Sequence, residues 1–369
     1  MMRVAIIGIK GLPARGGAER VVEAIVRRIT SKGVAPTVYC DARYTPPDFS
    51  IEGVRMIRIH TIPGKHLRSL TLALFSALHA VLSGNYDLVH LHNIEASFIL
   101  PVLRLRFRVL GTAHGFAYWR SKWGRAAKRI MMSMDYFFMR FSNMTSSVSA
   151  KDARSLQRRF GRQVLYIPNG VGTEFNADLD AAEEILNKHG IRRRRYFIFT
   201  AGRIEPTKGA HLAVEAVTRL DRGVPLLVVG DAGQVHDYEE KLHNIAGSMV
   251  YFQPLIEEPS VLFGLMKYSV CLIFPSLVEA MSMVLLEAAS LGIPVISSDI
   301  EENREVLGED GIYFRSGDVG SLMEKLGWIL DNQADAGRKA ADLQKLVHSR
   351  YSWDRIADRY FEVYRQVAA

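Results

Sequence analysis

The chain has 369 residues, which favours two domains, and its 48% apolar and 23% charged composition is that of a globular protein with sizeable cores. That composition excludes a disordered or fibrous chain, and no apolar run reaches the ~20 residues of a membrane span; the longest, residues 70–82, has 13 residues and contains His79. Its two cysteines, Cys40 and Cys271, lie far apart in predicted strands and read as buried apolar residues in a reducing compartment, which excludes a disulfide scaffold and a cysteine metal site.

The net charge of +8 is unevenly spread. Residues 1–172 hold 26 Lys and Arg against 9 Asp and Glu, a balance of +17; the remainder, with 21 basic and 30 acidic residues, balances at −9. The basic half favours an anionic partner, namely a membrane surface, a phosphorylated acceptor or nucleic acid.

Residues 3–9 read as a first strand, too short an apolar run for a signal peptide. The turn Gly8-Ile9-Lys10-Gly11-Leu12-Pro13-Ala14-Arg15-Gly16-Gly17 follows, before a helix over residues 18–31. A glycine-rich turn between strand and helix lets backbone amides and the positive helix end approach an anion, though it also serves as a plain tight connection. Strands are predicted at 37–40 and 54–59. Residues 66–82 form an apolar helix expected in the core, with a membrane-facing surface as the lesser reading. Strands at 87–93 and 108–113 deliver His90, His92 and His114 to their carboxyl ends, where ligands gather in α/β sheets. His114, followed by Gly115, is the strongest of the three.

Residues 116–129 (FAYWRSKWGRAAKR) interleave aromatic and basic side chains. The stretch could stack bases, cover anionic head groups with Trp119 and Trp123, or simply start a basic amphipathic helix. A strand at 143–147, a helix at 150–160 and a strand at 164–167 lead to the turn Pro168-Asn169-Gly170-Val171-Gly172, where a domain boundary is expected.

The alternation then restarts. Strands are expected at 196–201, 226–229, 250–253, 270–274 and 295–298, with helices at 211–220, 282–291, 320–330, 334–349 and 353–367. Repeated alternation means parallel sheets. The predicted fold is α/β: two doubly wound, Rossmann-like domains facing across a cleft, one of residues 1–172 with the C-terminal helix 350–369, the other of residues 173–349.

The chemistry concentrates in the second half. Gly202-Arg203-Ile204-Glu205-Pro206-Thr207-Lys208-Gly209 is a strand-end loop with two cations suited to a diphosphate: Arg can grip it bidentately and Lys adds a point charge. In residues 275–294 (PSLVEAMSMVLLEAASLGIP), Glu279 falls in the next strand-end loop and Glu287 eight residues on, within a helix. Two Glu residues at this spacing are commonly only solvated charge. Glu287, however, lies in an apolar and small-residue run where a carboxylate needs a partner. The start of that helix offers amides to the same diphosphate, and the two carboxylates can accept hydroxyls of a ribose and of a group beyond the phosphates. Asp178-Leu179-Asp180 has a D-x-D spacing but falls in the linker, and no metal site is expected.

The G-R-x-x-P-x-K-G motif at 202–209 followed by E-x7-E at 279–287 resembles the family 4 retaining glycosyltransferases with the GT-B fold. The resemblance extends over nearly the whole chain through the Gly16-Gly17 loop, His114-Gly115, Pro168-Asn169-Gly170 and the closing Ser352-Trp353-Asp354 helix. GIKGLPARGGAER and HGFAYWRSKWG further resemble a bacterial, often rhamnosyltransferase-like, subgroup that builds cell-surface polysaccharide.

The resemblance implies roles. Arg203 and Lys208 neutralise the departing diphosphate, Glu287 binds ribose, Glu279 holds donor-sugar hydroxyls, and His114 sits near the reacting centre. Gly16 and Gly17 close over the donor phosphates and the acceptor. Ala280, Met281, Ser282 and Met283 complete the donor contacts, and Lys10, Arg15, His92, Trp119 and Arg120 are the expected acceptor contacts. One departure is plain: the family's usual E-G-F-G-L is here Glu279-Ala280-Met281-Ser282-Met283, so the backbone must approach phosphate or sugar past Cβ atoms, and Ser282 adds a hydroxyl.

The expected activity is front-face transfer of a sugar from a nucleotide-diphosphate sugar to a saccharide or lipid-diphosphate-linked acceptor, without a cofactor or metal. Leaving-group stabilisation is then the main catalytic effect. The expected location is cytoplasmic, at the inner face of the cell membrane. The competing readings are a sugar phosphorylase or nucleotide-sugar epimerase on the same fold, and a nucleic-acid-binding protein, which would leave both Glu residues and the Arg203–Lys208 loop without a role.

Overall fold

The computed structural model describes residues 1–64, 67–116, 125–173, 175–231, 233 and 236–369. The chain divides into two compact units, Met1–Gly170 with Trp353–Ala369, and Val171–Ser352.

In the first unit, β1 (Met2–Ile7) leads through the glycine-rich turn to α1 (Gly17–Ile29), β2 (Val34–Asp41), β3 (Arg55–Ile59), α2 (Leu67–Ser83) and β4 (Leu88–His92). A 3₁₀ stretch, Ile94–Ile99, and the short α3 (Leu100–Leu103) connect β4 to β5 (Arg108–Ala113); α4 (Arg125–Phe141), β6 (Met144–Ser147), α5 (Ala150–Phe160) and β7 (Leu165–Tyr166) follow. The seven strands pair in parallel in the order β3-β2-β1-β4-β5-β6-β7. Buried valines, isoleucines and leucines fill the strands because helices cover both faces of a doubly wound sheet.

The second unit repeats the plan. It runs α6 (Leu179–Lys188), β8 (Phe197–Ala201), α7 (Ala210–Leu220), β9 (Leu226–Gly230), α8 (His236–Ile245), β10 (Val250–Gln253), α9 (Pro259–Tyr268) and β11 (Cys271–Phe274). Then come α10 (Met283–Ser290), β12 (Val295–Ser298), α11 (Glu301–Leu307), β13 (Ile312–Phe314), α12 (Val319–Asp331) and α13 (Gln333–Tyr351). Its six parallel strands lie in the order β10-β9-β8-β11-β12-β13. Each sheet therefore reverses direction beside its first strand, at β1/β4 and at β8/β11. Such a reversal opens a crevice at the carboxyl ends of the two strands, where doubly wound sheets bind ligands.

The last helix, α14 (Trp353–Ala368), returns to the first unit, where it packs on α1. Its buried stripe of Trp353, Ile356, Tyr360, Val363, Tyr364 and Val367 has helical spacing. Arg28–Asp354 at 2.7 Å and Lys32–Asp358 at 2.5 Å flank the contact.

Two expectations are corrected by the fold. The D-x-D spacing belongs to a helix start: Asp178 caps α6 by accepting from the Ala181 amide. The apolar helix α2 is also only half core. It buries mostly small residues, among them Thr71, Ala73, Ser76, Ala77 and Ala80, and turns larger ones outward. Cys40 and Cys271 are both buried free thiols, as their strand positions predict.

Candidate functional site

In the second unit, the two loops at the β8/β11 reversal are clasped together. Gly209 has φ +70°, and a Cβ there would lie 2.1 Å from the Pro275 carbonyl oxygen, so only glycine lets the loops meet. The Leu277 amide donates to the Thr207 carbonyl at 2.8 Å. This approach brings together residues read separately in the sequence: Lys208 Nζ donates to Glu279 Oε1 at 2.7 Å. The Glu279 side chain is 8% exposed and that of Lys208 29%, so the pair lies partly out of water, where charges interact strongly.

Arg203 occupies the same loop, half-buried, and among the described residues its Nε finds no hydrogen-bond acceptor. A shielded guanidinium nitrogen of this kind is set to receive an anionic oxygen. On the other side stands α10, capped by Ser282, whose Oγ accepts from the Leu285 amide at 3.4 Å. Ala280, Ser282 and Met283 are half-buried at this helix start, whereas the Met281 side chain is buried. Glu287 sits in the middle of α10 and is 6% exposed, a carboxylate embedded among Leu286, Ala288 and Ala289.

Beside the Arg203 loop lies a pocket of about 510 Å³, lined by Ile204, Gly230, Asp231, Gln253, Pro254 and Leu255 among others. Ile204 belongs to both, and its amide donates to the Asp231 carbonyl at 2.8 Å. The pocket has room for a planar heterocycle beside a diphosphate. The sequence reading missed it; its one signal was that Gly230-Asp231 and Gln253-Pro254 each close a strand of the same sheet.

In the first unit, Gly8 lets β1 pass close to β4: a Cβ there would lie 1.9 Å from the His92 carbonyl oxygen. The glycine-rich turn is less open to an anion than expected. The amides of Lys10, Leu12, Ala14 and Arg15 are taken by Glu19, Thr45, Glu23 and Tyr44, and the Arg15 guanidinium lies 5.0 Å over the Tyr44 ring. Gly16 caps α1 without a side-chain bond, and Gly17 begins it. The anion-binding capacity of the turn thus rests on the start of α1.

The three histidines form a ladder. His90 is a satisfied core residue, bonded through Nδ1 to the Tyr364 hydroxyl at 2.8 Å and through Nε2 to Thr112 at 2.7 Å. The ring of His92 lies tilted against that of His90 and stacked on that of His114, and its Nδ1 is hydrogen-bonded to His114 Nε2 at 2.9 Å. At 1% exposure His92 is buried against His114. Burial holds His90 and His92 well below the usual imidazole range and pushes His114 down to about 4. Trp119 and Arg120 lie outside the described residues.

Among the described residues no group of three or more His, Cys, Asp or Glu is placed to hold a metal ion, and no helix is long and apolar enough to cross a membrane.

Comparison with known proteins places each unit. Residues 15–175 match Glycosyltransferase Family 4, and residues 181–345 match Glycosyl transferases group 1. The chain is 26% identical to the phosphatidyl-myo-inositol mannosyltransferase of Mycobacterium leprae over 388 aligned positions, covering 100% of this chain and 97% of that one. It is 23% identical to the UDP-Gal:alpha-D-GlcNAc-diphosphoundecaprenol alpha-1,3-galactosyltransferase of Escherichia coli, covering 90% and 89%. Among solved structures, sucrose-phosphate synthase from Thermosynechococcus elongatus superposes with a TM-score of 0.82 at 21% identity, covering 100% and 99%. The Family 4 and group 1 matches together span most of the chain, which belongs with the glycosyltransferases.

Proposed function

We propose that the protein transfers a sugar from a nucleotide-diphosphate sugar, with retention of anomeric configuration, to a lipid-diphosphate-linked saccharide during cell-surface polysaccharide synthesis. The observation that carries the reading is the Lys208–Glu279 pair at the β8/β11 reversal, with Arg203 in the same loop and the pocket beside it. The pocket takes the base, and Glu287 takes the ribose. Arg203, Lys208 and the start of α10 take the diphosphate, and Glu279 takes hydroxyls of the sugar. Two fixed cations and a helix end supply the charge stabilisation that the leaving diphosphate needs, so no divalent metal is required.

The first unit receives the acceptor, through the start of α1 and His114. The lipid-linked acceptor is supported by the +17 balance of residues 1–172 and by the likeness to an enzyme whose name specifies a diphosphoundecaprenol-linked acceptor. Such an acceptor implies work at the inner face of the cell membrane.

Incubation with nucleotide sugars and short-chain lipid-diphosphate sugars tests this. The expected product is a new α- or β-glycosidic bond matching the donor anomer, formed in EDTA. Free sugar phosphate or an altered sugar would instead indicate a phosphorylase or an epimerase.

A further inference from the structure

The outward face of α2 is apolar. Leu67, Leu70, Phe75, Leu78 and Leu82 recur at helical spacing along it and are exposed. The helix thus hides its small side chains and shows its large ones, the reverse of an ordinary surface helix. At its end the stripe continues onto the turn after α3. The Arg106 guanidinium donates to the Val81 carbonyl at 2.5 Å, which brings Leu82, 78% exposed, beside Leu105, 80% exposed.

The charge around this face is mainly positive, with Glu95 the exposed acid between α2 and α4. Leu105 is flanked by the exposed Arg104 and Arg106, and α2 contains no acidic residue. Between residues 67 and 141 the acids are Asp87, Glu95 and Asp135; Asp87 is paired to Arg3 at 2.8 Å and Asp135 to Arg159 at 2.6 Å. Right-handed crossovers put α2, α3 and α4 on the same side of the first sheet, and α4 adds exposed Ile130, Met132 and Tyr136 between Arg129 and Arg140.

We infer that this face docks on a bilayer bearing anionic headgroups. An apolar helix stripe about 25 Å long, bordered by arginines, suits a helix lying in the membrane interface: the leucines enter the acyl boundary while the guanidinium groups meet the phosphates. A second copy of the chain applied through the same face would oppose like charges. The inference rests on the lipid-linked acceptor reading and adds the surface that brings the enzyme to it.

The test is sedimentation of the full-length protein with phosphatidylcholine vesicles with and without about 30% phosphatidylglycerol, at low and high salt. Binding is expected only with the anionic lipid and should weaken as salt rises. A Leu70→Gln/Leu78→Gln/Leu82→Gln variant should lower the partition coefficient by about tenfold or more. Its melting temperature and its response to nucleoside diphosphates should stay unchanged, because all three side chains are exposed. Leu105→Gln alone, further from the helix, should lower it in the same direction.

Wild-type protein that ignores anionic vesicles would overturn the inference. So would variants that partition like wild type, or a leucine face that instead governs a monomer–dimer equilibrium without lipid. Loss of the nucleotide response in wild-type protein that still binds vesicles would contradict the donor-site reading and leave the docking face standing.

Discussion

Lys208 Nζ donates to Glu279 Oε1 at 2.7 Å, joining two loops that are 71 residues apart in the chain. On the proposed assignment a donor diphosphate would compete with Glu279 for this ammonium, and the freed carboxylate would accept sugar hydroxyls, so the pair would link diphosphate binding to sugar binding.

Removing either partner should separate these effects. Lys208→Ala leaves a nearly buried carboxylate unpaired and should cost about 1–3 kcal/mol of stability, besides weakening nucleoside diphosphate binding. Glu279→Gln keeps the shape and removes the competitor. Diphosphate binding should hold or tighten, while kcat/KM falls by about 10- to 100-fold through lost charge-assisted bonds to the sugar. Calorimetry with the diphosphate and steady-state kinetics check both; loss of diphosphate binding in Glu279→Gln would contradict the assignment.

Gly209→Ala should be among the most damaging single-methyl changes. A Cβ would meet the Pro275 carbonyl oxygen at 2.1 Å, and φ is +70°. Left-handed backbone alone costs an alanine about 1–2 kcal/mol, and the clash adds to it. Thermal unfolding should show a loss above about 2 kcal/mol, with diphosphate affinity reduced because the clasp opens. Gly202→Ala, where a Cβ meets nothing, should be mild by comparison.

The histidine ladder makes stability depend on pH. With folded pKa values lowered, that of His114 to about 4, the unfolded chain binds more protons than the folded one between about pH 4 and 6.5. Unfolding free energy should therefore rise with pH across that window, level off above it, and be lost progressively on acidification. A His92→Gln variant should flatten the slope. Because His92 holds the ring of His114 in orientation, the same variant should lower kcat more than it changes KM for the donor. Melting temperatures from pH 4.5 to 8 and a kinetic comparison test the two statements.

The strands were legible because apolar runs of four to six residues, bounded by Gly, Pro or polar residues, fit a buried parallel strand and little else in an alternating chain. Helix α10 was legible because a run rich in leucine and alanine lies between two such strands. Strand β13 has three residues, too few to show a period. Helix α8 starts in a polar stretch and buries little beyond Tyr238 and Leu242, so it carries almost no pattern.

Helix α2 was legible as a helix but not in its orientation. A segment apolar on every side gives no moment, and only the fold shows which leucines face outward. Arg203, Lys208, Glu279 and Glu287 could be picked out from charge placed at strand ends and in an apolar helix. The pocket at Asp231 and Gln253–Leu255 could not, because it is assembled from several strand ends with no spacing in common. The contact of His92 with His114 was hidden for a related reason: a strand-end position does not reveal which way a ring turns.

Arg203 and Lys208 are the proposed holders of the donor diphosphate. The most direct measurement is the thermal shift of wild-type protein and of Arg203→Ala/Lys208→Ala with UDP, GDP, ADP and dTDP in EDTA. One diphosphate should stabilise wild type, by about 2.7 kcal/mol at 100 times its Kd, and should leave a folded double variant unmoved. A double variant stabilised as much as wild type, or wild type stabilised by none of the four, would contradict the account.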